Sequence, residues 1–72
     1  MKIGQLIKES RERKKMTQQQ LADQFHVTRQ TVSRWENEQS YPNLDTLVEL
    51  SFFFEFSLDE ILKGEGKAME EK

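Results

Sequence analysis

The sequence predicts a small all-α domain, and three features carry that expectation. Apolar residues recur three and four positions apart, as in Ile3, Leu6 and Ile7, so successive segments each offer one buried stripe. Short polar residues stand where helices should begin: Thr17 with Gln20, Thr28, Asn43, and Ser57 with Glu60. Residues 17–37 read as two short helices joined by a tight turn, and the rest of the chain is organised around that unit.

The first helix is expected over residues 2–14. Ile3, Leu6, Ile7 and Ser10 share its inner stripe, with Ser10 a polar member that should pack loosely. Arg11 lies beside the stripe. Arg13, Lys14 and Lys15 form a basic cluster that either flanks a nucleic acid or only solubilises the surface. The second helix starts at Thr17, where T-x-x-Q forms a capping box. Leu21, Ala22 and Phe25 give it a buried side, and the small Ala22 allows a close helix crossing. Gln18 falls at the helix N-terminus, where free N–H groups and the dipole favour a phosphate; a plain surface glutamine is the alternative.

The turn is Phe25, His26 and Val27, and the third helix follows from Thr28 to about Asn37. Val32 and Trp35 form its inner side. At about 100° per residue, Arg29, Gln30, Ser33 and Arg34 fall on the opposite arc, roughly 140° wide. No acid interrupts that arc. Arg pairs with guanine, Gln with adenine, and Ser with either, so this is a chemistry suited to base edges. An ordinary solvated helix face would favour the same residue types.

After a loop closed by Pro42, Asn43 caps a fourth helix. Leu44, Leu47, Val48, Ser51 and Phe54 are expected on one side, with Leu50 at its edge. Asp45 and Glu49 lie opposite. Phe52 falls on the polar arc and Phe53 near its margin, so these two are either an interface or an incidental exposed aromatic pair. Phe56 returns to the core. Ser57 and Glu60 cap a fifth helix, with Asp59 in its first turn, Leu58, Ile61 and Leu62 facing inward, and Gly64 ending it. The domain is therefore expected over residues 1–63, followed by a polar tail over 64–72.

Seventy-two residues make one domain with a small core. There is no cysteine, hence no disulfide and no thiolate metal site, which suits a cytoplasmic protein. No apolar run approaches the roughly 20 residues of a membrane span. The net charge is −2, but it is unevenly spread: residues 1–36 hold eight Lys or Arg against four acids, and residues 37–72 hold three against nine. Phosphate binding needs a local basic face rather than a basic protein, and the basic half contains the two-helix unit. The acidic half would face away from a duplex or toward a protein partner. With no Cys and a single histidine, His26, set in a turn, the chain offers little for an enzyme, and no metal or cofactor is expected.

The segments TQQQLA, VTRQTVSRWE and YPNLDTL, in this order, resemble the phage-repressor-like, Xre/Cro-type helix-turn-helix family. The likeness covers roughly residues 3–63. It implies a compact five-helix, lambda-repressor-like DNA-binding domain with the helix-turn-helix at helices 2 and 3. It also implies a transcriptional regulator, expected to be a repressor, that binds double-stranded DNA as a homodimer on a palindromic operator. By matching positions, Arg29, Gln30 and Arg34 would face bases, while Gln18, Thr28, Ser33 and Asn37 would hold the DNA backbone. Arg11 would pair with Glu36, although a solvent-exposed Arg11 is the plainer alternative. The chain departs from the family at Lys15, His26 and Glu38, where relatives often carry glycine. Glu38 is also expected to place a negative charge near the DNA-facing end. A protein-interaction module on the same fold is the competing reading, supported by Phe52, Phe53 and the acidic half.

Overall fold

A computed structural model of the chain describes residues 3–56. Four helices follow one another: α1 Ile3–Arg13, α2 Gln18–Gln24, α3 Arg29–Glu36 and α4 Leu44–Phe54. The expected fifth helix, with Ser57, Glu60 and Leu62, and the tail over 64–72 lie outside the described residues. Among the described residues no helix is long and apolar enough to cross a membrane.

The helix starts follow the expected chemistry. Thr17 Oγ1 accepts from Gln20 N–H at 3.0 Å, and Gln20 Oε1 accepts from Thr17 N–H at 2.8 Å, closing the capping box. Thr28 accepts from Thr31 N–H at 3.1 Å, and Asn43 from Thr46 N–H at 2.9 Å. Each cap satisfies a backbone donor that the helix itself leaves unpaired.

The helix ends share one geometry. Lys15, His26, Glu38 and Glu55 are left-handed, with φ of 59°, 58°, 62° and 62°. The N–H of the residue after each bonds five residues back: Met16 to Arg11, Val27 to Ala22, Gln39 to Arg34, and Phe56 to Ser51. This is the Schellman closure, in which glycine usually takes the left-handed position. The first three are the glycine departures singled out above; Glu55 is a fourth that the sequence did not flag.

The core is built from Ile3 and Ile7 of α1, Leu21 and Ala22 of α2, Val32 and Trp35 of α3, and Leu50 and Phe54 of α4. Ala22 is fully buried, as expected of a close crossing between α2 and α3. Gly4 is the corresponding device between α1 and α3: a Cβ there would overlap the Trp35 carbonyl and the Glu38 carboxylate. Ser10 is buried at 2% exposure and its Oγ has no hydrogen-bond partner among the described residues, a sharper defect than loose packing.

Two inward assignments are corrected: Val48, expected on the buried side of α4, is half-buried and does not pack against the core, and Leu44 lies outside it altogether. Leu44, expected on the buried side of α4, is 70% exposed, while Leu50, expected at the edge, is fully buried. The inward direction is set by Leu47, Leu50, Ser51 and Phe54, and at about 100° per residue Leu44 lies past its rim. Phe52 is 77% exposed. Phe53 is half-buried, with ring contacts to Phe25 at 5.5 Å and Phe54 at 5.0 Å, and Lys14 Nζ lies 5.2 Å from its centroid.

Candidate nucleic-acid interface

The turn between α2 and α3 decides how α3 is presented. His26 reverses the chain, its N–H bonding to Asp23 O, and Thr28 starts α3 immediately afterwards. Val32 and Trp35 anchor the inner side of α3, at 0% and 4% exposure. Arg29, Gln30, Arg34 and Asn37 are exposed and Ser33 is half-buried. Five polar side chains therefore share one outward arc. Ser33 and Asn37 are linked on it, with Asn37 Nδ2 donating to Ser33 Oγ at 3.3 Å. Thr28 Oγ1 serves the cap and also lies 2.9 Å from Thr31 Oγ1.

No carboxylate lies on the arc, although Glu36 falls within its sequence span and Glu38 directly after it. Glu36 points inward, its side chain only 3% exposed. Arg11 grips it with both arms: Nε donates to Oε2 at 2.7 Å and Nη2 to Oε1 at 3.1 Å. The third Arg11 nitrogen, Nη1, donates to Met16 O at 2.7 Å, at the α1–α2 turn. The expected ion pair thus ties α1 and the start of α2 to the end of α3. The hydrogen bond to Glu36 holds the Arg11 guanidinium above its ordinary pKa, against partial burial, which pulls it down.

Gln18 belongs to the same cluster. It is half-buried, and its Nε2 donates to Glu36 Oε1 at 3.0 Å. Sequence reasoning offered a phosphate contact or a plain surface residue; the structure gives it a fixed partner instead of a free surface position. One Nε2 hydrogen points at Glu36, and the other is directed away from that bond.

Glu38, expected to place a negative charge near the DNA-facing end, is hydrogen-bonded toward α1. Its Oε2 accepts from Gln5 N–H at 3.3 Å, so it caps the start of α1 from outside the helix. Its carboxylate lies with Glu9, Glu12 and Glu36 along a groove of about 670 Å³ between α1 and the end of α3. With four carboxylates against one lysine, Lys8, that groove does not suit a phosphate. Of the basic cluster, Lys14 lies over Phe53, while Arg13 and Lys15 are exposed.

A helix-turn-helix family model matches residues 7–61. The chain is 40% identical over 65 residues to the HTH-type transcriptional activator BcrR of Enterococcus faecalis, covering 90% of this chain and 32% of that protein. It is 39% identical over 60 residues to the uncharacterized HTH-type transcriptional regulator YqaE of Bacillus subtilis, covering 83% and 52%. It is 31% identical over 62 residues to the HTH-type transcriptional regulator ImmR of the same organism, covering 86% and 49%. The chain thus spans between a third and about half of the length of these three relatives.

Proposed function

The chain belongs to the Xre-type, phage-repressor-like helix-turn-helix family of DNA-binding regulators, and we propose that it binds a specific operator through α3. Two copies sit on a palindromic site, each inserting α3 into a major groove, with the helices about 34–36 Å apart on one face of the duplex. They meet through the region that follows α3. Arg29, Gln30 and Arg34 read base edges. Gln18, Thr28, Ser33 and Asn37 hold phosphates, and the Glu36 bond orients the Gln18 amide for that contact.

The observation that carries the reading is the acid-free outer arc of α3, with Glu36 and Glu38 both turned away from it toward α1. The chain works in the cytoplasm, with its DNA. Repression follows from occupancy: a domain seated over a promoter blocks it. Activation is the second reading, because one relative is named an activator; it needs a further contact with another protein.

Selection of bound duplexes from a random DNA pool, at two salt concentrations, tests the proposal. The expected result is an enriched palindrome with half-sites one helical turn apart. Salt-sensitive binding with no enriched sequence would overturn base reading and leave only a grip on the backbone.

A further inference from the structure

We infer that the outward face of α4 docks a basic amphipathic helix of another protein. Because Leu50, Ser51 and Phe54 are buried, the opposite side of α4 is fixed. From the rim of the buried side outward toward it, Leu44, Val48 and Phe52 follow one another at a turn's spacing; the two end residues are 70% and 77% exposed and Val48 is half-buried. Asp45 and Glu49, both exposed, form a second row one residue further round. An apolar row beside an acidic row is complementary to a helix with apolar residues at i, i+4 and i+8 and Lys or Arg along one flank.

The charge pattern argues against the other occupants. DNA would set phosphates against Asp45 and Glu49. A second copy offers no matching cation on this helix, since α4 contains neither Lys nor Arg. In an antiparallel pair the two acidic rows would face each other, and in a parallel pair each would face an uncharged flank. The row is also short, about 12 Å at 1.5 Å per residue. That fits one helix better than the roughly 800 Å² per partner of a stable dimer interface. The inference stands apart from base reading by α3, since no residue of the arc takes part.

The test replaces Phe52 with the photo-cross-linker p-benzoyl-phenylalanine in the full chain, in the cells that produce it, and maps the segment captured. The expected product is a heterologous segment with Lys or Arg at helical spacing. Its yield should fall at least tenfold when Glu49→Lys and Asp45→Lys are added, and return when the captured basic residues are changed to Glu. Far-ultraviolet circular dichroism of each variant checks that it is folded, as substitutions at exposed positions should leave it. Arg34→Ala should weaken selection at the base pairs Arg34 reads and leave the cross-link unchanged, which separates this inference from the DNA reading. Capture of a second copy, of a segment without cations, or of nothing would overturn it, as would a yield indifferent to charge reversal.

Discussion

Glu36 accepts three hydrogen bonds on a side chain that is almost wholly withdrawn from water. Removing one partner of such a pair leaves a buried charge without compensation, which costs about 3 kcal/mol at the lower end of the usual range. Arg11→Ala and Glu36→Ala should each lower stability by about that much in urea unfolding, and the double variant should lose less than the two together. Arg11, its pKa raised by Glu36, keeps its charge throughout and below its ordinary titration range, so its contribution should be flat across neutral pH and be lost in strong alkali. Ser10 is the opposite case: its buried Oγ has no partner among the described residues, so Ser10→Ala should stabilise by about 1 kcal/mol in the same assay. On the outer arc, Arg34→Ala and Gln30→Ala should lose about 1–3 kcal/mol at particular base pairs only. Gln18→Ala should weaken all sequences alike and lower the salt slope by about one; binding titrations on operator and scrambled duplexes distinguish the two patterns. At this scale the sequence was legible where spacing alone sets direction, as for Arg29 and Arg34. It could not show that Gln18 and Glu38 turn toward α3 and α1, because those bonds join residues 18 and 33 positions apart.

Helix starts were legible from local chemistry, since a Thr or Asn cap bonds only three residues ahead. Helix ends were half legible. Three left-handed positions showed through the resemblance, and Glu55 did not, although the apolar residue after it repeats the pattern of Met16 and Val27. A Schellman closure often brings the residue after the turn back against its own helix, so glutamate between Phe54 and Phe56 was the available clue. The rotation of α4 was misread at Leu44 and Val48 because periodicity gives a stripe's width better than its centre. Side chains in the left-handed region cost roughly 1–2 kcal/mol, so His26→Gly and Lys15→Gly should each raise the melting temperature. Glu38→Gly should gain less, because it also removes the cap on Gln5 N–H. A thermal melt of the three single variants checks that order.

For the whole molecule, the uneven charge separates two surfaces: an acid-free arc on α3 and an acidic, partly apolar face on α4. Affinity for DNA should fall steeply with salt despite the net charge of −2, because the local face governs counterion release. A titration between about 50 and 200 mM salt reads this as the slope of log affinity. The four left-handed helix ends bear on something else again. A core of this size supplies only about 3–5 kcal/mol, and each such end takes a share of it. A thin margin raises the fraction of chains open at any moment, and the open form is what proteases cut. The amount of regulator in a cell would then follow its rate of destruction as closely as its rate of synthesis. Pulse-chase decay of the His26→Gly, Lys15→Gly double variant should show a longer half-life, with every side chain of the α3 arc unchanged.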